Sequence, residues 1–191
     1  MEEHLICKSD DFNPTEDNLD FKPVGFGSDS GFGTASFMYH KGSINIRTHE
    51  MITPFGYSEG FNQKDPNLQL NFHLDRPKDV KFMNSLQRLE ELIVQYAYKR
   101  RQEWRLFGNR RESDGATIEQ VRAKFNKIIR PGKGDYPSTF TIKFMKDNSG
   151  LITTPCHDQT GQFIIPSPTT IPRRSKCILD LQAKTVWIDS V

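Results

Sequence analysis

Cysteine is scarce in this chain, and its few copies are not arranged as a site. The 191 residues contain three cysteines, Cys7, Cys156 and Cys177, without CxxC spacing. That pattern argues against a disulfide framework and against a zinc site. It predicts free thiols, a reducing intracellular compartment and no bound metal.

Long apolar runs are also lacking. No stretch of about eighteen apolar residues occurs that would span a membrane. The N-terminal sequence MEEHLICKSDD lacks the basic region and following apolar region of a secretion signal. With 26% charged and 35% apolar residues, we expect a soluble protein with no membrane partner.

Catalytic motifs are missing as well. The chain has no GxSxG, no HExxH, no phosphate-binding P-loop and no cluster of carboxylates. We therefore expect no catalytic residues, no cofactor and a function other than catalysis. A nuclease or nucleotide-processing enzyme with a carboxylate site hidden from the sequence stays an alternative.

Charge is unevenly distributed although the net charge is only +2. Residues 1–20 carry a net charge of −6, whereas residues 76–146 carry +9. We expect residues 1–32, acidic and then glycine-rich, to form a loose N-terminal arm, and residues 33–191 to form one folded domain. The arm either solubilises the protein or competes with a polyanion for the basic segment. The alternative is that it packs as an extra strand through Leu5, Ile6 and Phe12.

Residue periodicity predicts a mostly β chain with helices, that is, an α+β protein. Alternation of apolar and polar residues predicts strands at 35–39, 43–47, 68–74, 139–144, 162–165, 176–181 and 184–188. A stripe at helical spacing predicts a helix from Asp79 to about Trp104; its members are Phe82, Leu86, Leu89, Ile93 and Tyr96. Thr117 and Gln120 predict a capping box, and Pro131 should end that second helix.

Arginine and aromatic residues alternate at the end of the long helix, in YAYKRRQEWRLFGNRR. Guanidinium groups bind phosphates and aromatic rings stack on bases, so this pattern is typical of a sequence-tolerant nucleic-acid surface. The candidates here are Lys99, Arg100, Arg101, Trp104, Arg105, Phe107, Arg110 and Arg111. The alternative is a solvated helix end whose cations favour the helix dipole.

A second group of candidates follows the short helix. It consists of Arg130, Lys133, Tyr136, Lys143, Arg173 and Arg174. The first three lie in a glycine-containing loop that suits a phosphate chain with stackable bases. Trp104 and Tyr136, then Phe107, are the predicted stacking rings, and burial of these rings in the core is the alternative.

Several short motifs, taken together, resemble a known family. They are TPFG after two short strands, the alternating LQLNFHL, a helix with tryptophan near its end, GKGDYPSTFTIKF and a final strand containing VW. This set resembles the OB-fold single-stranded DNA-binding proteins of large DNA viruses, which are related to the T7-phage-type single-stranded DNA-binding proteins. The resemblance covers about residues 33–188.

The resemblance implies an OB-fold-like antiparallel β-barrel with a long helix between the third and fourth strands. It also implies sequence-nonspecific binding of single-stranded DNA in replication and recombination, with polymerase, helicase or primase as partners and a homodimer left open. The place of action would be a viral replication site or the host nucleus or cytoplasm. The family typically has a C-terminal acidic tail, whereas this chain ends WIDSV and is acidic at its start. A viral structural or interaction protein that uses an OB-like barrel without catalysis is the alternative.

Overall fold

The computed structural model describes residues 6–22, 25–26, 32–60, 65–107, 110–183 and 185–189. Short strands dominate these residues and helices are fewer, which confirms the α+β class. The chain divides into two compact units. Unit 1 comprises Met1–His49, Lys81–Lys127 and Leu179–Val191, and unit 2 comprises Glu50–Val80 and Ile128–Ile178. No helix in the described ranges is long and apolar enough to cross a membrane.

The strands are numbered in chain order. They are β1 (Cys7–Lys8), β2 (Leu19–Phe21), β3 (Gly25–Phe26), β4 (Phe32–Tyr39), β5 (Ile44–Arg47), β6 (Met51–Thr53), β7 (Tyr57–Ser58), β8 (Asn67–Phe72), β9 (Ile129–Arg130), β10 (Ser138–Lys143), β11 (Ser175–Cys177), β12 (Asp180–Ala183) and β13 (Thr185–Asp189). The helices are α1 (Pro77–Lys99), α2 (Arg110–Asp114) and α3 (Ile118–Lys124).

Unit 1 contains two sheets, and the N-terminal segment contributes to both. One sheet has the order β1-β5-β12; the other has the order β13-β4-β2, with β3 also paired to β4. Phe12 is only 1% exposed and Leu19 is also buried. The predicted loose arm is therefore wrong for residues 6–22, because these two side chains anchor an acidic segment in the core. Residues 1–5, 23–24 and 27–31 of the predicted arm lie outside the described residues.

The predicted long helix forms, and its apolar stripe is confirmed. Phe82, Leu86, Leu89 and Ile93 are all buried. The helix α1 ends at Lys99, earlier than predicted. Burial of residues spaced three or four apart explains why this segment is helical, since packing of one apolar face against the rest of the protein supplies most of the stability of a helix.

The capping box of α3 is confirmed in both directions. The Gln120 backbone N–H donates to the Thr117 hydroxyl at 3.3 Å, and the Thr117 N–H donates to the Gln120 side chain at 2.7 Å. The predicted end of this helix is wrong. The helix ends at Lys124, because Phe125 already has an extended conformation with ψ of 124°. Strand β9 therefore lies between the end of α3 and Pro131.

Unit 2 is built on one sheet with the order β11-β6-β8-β10-β9, and β7 also pairs with β8. Strands β8 and β10 run antiparallel, from Ser138 opposite Phe72 to Lys143 opposite Asn67. Leu68, Leu70 and Phe72 are buried, which confirms the predicted alternation. Strand β8 ends at Phe72, so Leu74, which was predicted to point inward, is exposed.

None of the three sheets closes into a barrel through the described strands, so the OB-like barrel is not confirmed.

The two strands on either side of the His40–Gly42 turn do not continue as a hairpin. They meet at a single bridge between Tyr39 and Gly42, because β4 pairs with β2, β3 and β13 while β5 pairs with β1 and β12. The strand predicted at 162–165 is reduced to one bridge, between His157 and Phe163.

Two hairpin loops of unit 2 repeat one pattern that the sequence analysis missed. The Asp147 side chain accepts hydrogen bonds from the Ser149 hydroxyl at 2.6 Å, the Ser149 N–H at 2.8 Å and the Leu151 N–H at 3.0 Å. Asp158 accepts from the hydroxyl and N–H of Thr160 and from the N–H of Gln162 in the same way. The signal is the spacing Asp-x-Ser/Thr-Gly, present at both places in the sequence.

These hydrogen bonds make a pH-dependent contribution to stability. The Ser149 hydroxyl and neighbouring backbone N–H groups hold the pKa of Asp147 below its ordinary value of 3.8, and the Thr160 hydroxyl with backbone N–H groups does the same to the pKa of Asp158. A carboxylate with a lowered folded-state pKa stabilises the fold above its unfolded pKa, and this stabilisation is lost as the pH falls through the folded pKa.

We therefore expect the double variant Asp147→Asn/Asp158→Asn to lose less stability than the wild type on acidification. Asparagine keeps the accepting oxygen but cannot titrate. Denaturant unfolding between about pH 7 and about pH 3 measures the difference. Asp147→Ala/Asp158→Ala is the control, because it removes the acceptor and should destabilise at both pH values. Parallel pH curves for the wild type and the asparagine variant would contradict the expectation.

Candidate nucleic-acid interface

One face of the unit 2 sheet carries a row of side chains that crosses all five strands of its main path. The register pairs Lys176 with Ile52, Ile52 with Asn71, Asn71 with Thr139, and Thr139 with Arg130. Directly opposed residues of paired strands point to the same side of a sheet. Four strand spacings of about 4.8 Å make this row about 19 Å long.

The same face, which we call the polar face, continues along β8 and β10. Gln69 lies opposite Thr141, and Asn67 lies opposite Lys143. None of the described strand residues on this face is acidic. Its two lysines pair with carboxylates outside the strands, Lys143 with Asp65 at 3.3 Å and Lys176 with Glu50 at 3.0 Å.

The last residue of β9 and the loop between β9 and β10 display three of the predicted site residues. Tyr136 is 79% exposed, and Arg130 and Lys133 are exposed beside it in the chain. Among the described residues, no carboxylate lies within ion-pair distance of Arg130 or Lys133. The loop is closely folded on itself, since a side chain at Gly132 would collide with the Tyr136 carbonyl.

Trp104 does not fit the predicted stacking role. Its side chain is 1% exposed and packs in unit 1 against the rings of Tyr96, at 5.7 Å, and Phe21, at 6.4 Å. A base can stack only on an accessible ring face. Tryptophan has a large apolar area, and the free energy gained by burying it explains why the ring lies in the core although cations flank it in the sequence.

The cations at the end of α1 are already engaged within unit 1. The ion pairs are Lys99 with Glu16 at 3.7 Å, Arg100 with Glu103 at 2.8 Å and Arg101 with Asp114 at 3.7 Å. Arg101 also donates to the Asp114 carbonyl at 3.0 Å and lies over the Tyr98 ring at 4.4 Å. These contacts favour the alternative of a structural helix end over a phosphate-binding surface.

The remaining candidates of unit 1 form a separate, more exposed group. Arg105 and Arg111 are exposed, and Arg105 adopts a positive φ of 48°. Phe107 is half-buried, with the Lys124 ammonium 4.6 Å from its ring centre. Arg110 begins α2, but its side chain lies outside the described residues.

Arg173 and Arg174 belong to unit 2 and precede β11, the edge strand opposite β9. Both are exposed, and neither has a carboxylate partner within the described ranges. The structure therefore brings Arg130, Lys133 and Tyr136 together near the β9 edge, places Lys143 at the other end of β10, and places the two arginines at the opposite edge of the sheet. Lys176, Asn71 and Gln69 were missed as site residues, since strand pairing decides their position.

Within the described ranges, the thiols and acidic groups offer no second site. Burial raises the pKa of the Cys156 and Cys177 thiols, and burial together with Asp11 raises that of Cys7. Raised pKa values leave little reactive thiolate at neutral pH. In the described part of the chain, no three His, Cys, Asp or Glu side chains are grouped so that they could hold a metal ion.

Comparison with known proteins finds no matching family model, no matching curated protein and no matching solved structure.

The burial of Trp104 gives a prediction about stability. Trp104→Ala should lower the free energy of unfolding by about 3–5 kcal/mol, because it leaves a large cavity. Trp104→Phe should cost less and retain the fold. Urea unfolding measures the free energy of unfolding of both variants. Tyr136→Ala, which removes an exposed ring, is the control, and its free energy of unfolding should lie within about 0.5 kcal/mol of the wild type. An unfolding curve for Trp104→Ala that matches the wild type would contradict the burial of Trp104 in the core.

Proposed function

We propose that this protein binds single-stranded DNA without sequence preference, on the polar face of unit 2. The observation that carries this proposal is the combination of Arg130 and Lys133, which lack carboxylate partners in the described structure, with the exposed ring of Tyr136. These groups adjoin a sheet face whose described strand residues include no acid.

The chemistry of the face suits a single strand better than a duplex. Cations bind phosphates of any sequence, and every base offers a ring face for stacking, so neither kind of contact reads the sequence. An exposed aromatic ring gains from stacking only where bases are unpaired and splayed from their neighbours. Sequence tolerance and preference for single strands therefore follow from the same residues.

An OB-fold barrel and a role in replication or recombination belong to the same proposal. In the chain, α1 lies between β8 and β10, which correspond to the strands predicted at 68–74 and 139–144, the third and fourth predicted strands. Single strands are exposed during replication and recombination, where polymerase, helicase or primase would be the partners. The polar face needs no catalytic group to fulfil this role.

An interaction protein without DNA binding is the second candidate. It is favoured by large apolar side chains exposed in the hairpin segment 145–165, namely Met145, Leu151, Phe163 and Ile165. Exposed apolar groups of this kind can mark a protein-binding surface when they are contiguous.

Titration of labelled oligo-dT at several salt concentrations tests the proposed function. Affinity should fall between about 50 and about 200 mM salt, because each phosphate contact contributes about −0.7 to the salt slope. The variant Arg130→Gln/Lys133→Gln should bind more weakly and reduce the slope by about 1.4, for two lost phosphate contacts.

The matched control is Lys99→Gln/Arg100→Gln, which removes the same charge from unit 1, where both cations have acidic partners. It should retain wild-type affinity and slope. Equal loss in both double variants would mean that only net charge matters. Salt-independent binding, or equal affinity for duplex and single strand, would reject the proposal, and absence of any DNA binding would favour the interaction protein.

A further inference from the structure

We infer that Phe55 forms a second base-stacking site together with Arg173 and Arg174, at the sheet edge opposite Tyr136; this inference rests on the proposed function. The bound single strand would then cross the strands of the sheet, with a stacking ring at each edge. In the sequence, Phe55 lies between Pro54 and Gly56, a setting more typical of a ring that is buried as a plug under a loop.

Phe55 is 58% exposed although it lies in a sharp turn next to buried residues. The turn follows β6, whose Met51 and Thr53 are buried. A plug would place the ring in the core, as Phe72 and Phe140 are placed, with ring centres 5.1 Å apart. The exposed ring therefore contributes little to the core of unit 2.

The turn that carries Phe55 is held firmly. The Gly56 N–H donates to the Thr53 hydroxyl at 3.0 Å, and the Tyr57 N–H donates to the Ile171 carbonyl at 2.9 Å. Gly56 has a positive φ of 71°, and a side chain there would collide with the Ile171 carbonyl. A ring displayed on a fixed turn loses little conformational entropy when a base stacks on it.

The same backbone contacts bring the two arginines to this turn. The Arg174 N–H donates to the Thr53 carbonyl at 2.8 Å, and Arg174 adopts φ of 63°, which is unfavourable for a residue with a side chain. Neither Arg173 nor Arg174 pairs with a carboxylate of the described structure. The exposed ring of Phe55 therefore lies on a turn that is hydrogen-bonded to the segment of Arg173 and Arg174, as the exposed ring of Tyr136 lies on the loop that carries Lys133.

The spacing of the two edges sets the length of strand required. The row from Lys176 to Arg130 crosses the sheet over about 19 Å. At about 3.4 Å per nucleotide, the rise of a fully stacked strand, this row corresponds to about six nucleotides, and a strand with splayed bases would cross it with fewer. The amide and hydroxyl groups of the polar face lie between the two edges and would contact the intervening bases.

The test compares Phe55→Ala with Phe163→Ala, using oligo-dT of about 20 nucleotides and an abasic strand with the same number of phosphates. Phe163 is the matched control, since it is 61% exposed in the same unit. Phe55→Ala should weaken binding of oligo-dT by about 5- to 150-fold, as expected for one lost base stack. Binding of the abasic strand should stay unchanged, and Phe163→Ala should bind both strands like the wild type.

Each other outcome would overturn the inference in a distinguishable way. Wild-type affinity of Phe55→Ala for oligo-dT would exclude stacking at Phe55 while leaving the proposed function intact. An equal loss on the abasic strand would show an effect through the loop rather than through a base. Absence of oligo-dT binding by the wild-type protein would reject the proposed function and this inference together. Thermal unfolding, expected to be unchanged in both variants, confirms that folded proteins are compared.

Discussion

The antiparallel pairing of β8 with β10 is the constraint on which the candidate interface depends. Side chains alternate along each strand, so the burial of Leu68, Leu70 and Phe140 on one side places Gln69, Asn71 and Thr141 on the other. A slip by one residue would expose the apolar set and bury the amides, at a cost of about 1.5–3 kcal/mol for each large side chain exposed. The apolar core thus fixes the position of every polar group on the opposite face.

The same residue types have different roles in the two units. In unit 1, arginines and aromatic rings that are interleaved in the sequence form ion pairs and a core around Trp104. In unit 2, Arg130 ends β9 and Lys133 and Tyr136 lie on the following loop, and no described carboxylate pairs with these cations. Composition alone cannot separate these cases. The decisive difference is whether a carboxylate, or enough apolar surface, lies within reach in the folded chain.

Features set by neighbouring residues were therefore predictable from the sequence. The stripe of α1, the capping box of Thr117 and the alternation of β8 follow from local spacing, and the structure confirms them. Features that depend on distant partners were not. The pairing of Lys176 with Ile52, the burial of Trp104 and the anchoring of the acidic segment by Phe12 each join residues far apart in the chain. Conversely, the Asp-x-Ser/Thr-Gly repeat is local and could have been found.

The modest net charge makes stacking important to the proposed function. A protein of net charge +2 has a weak long-range field, and charges farther apart than the Debye length of about 8 Å are largely screened at physiological salt. Phosphates would therefore interact mainly with cations close to them, and the ion-paired cations of unit 1 contribute little. Stacking on aromatic rings is less sensitive to salt than phosphate contacts are. If DNA binds the polar face, its retention at physiological salt would depend on the exposed rings, and so would the preference for unpaired bases.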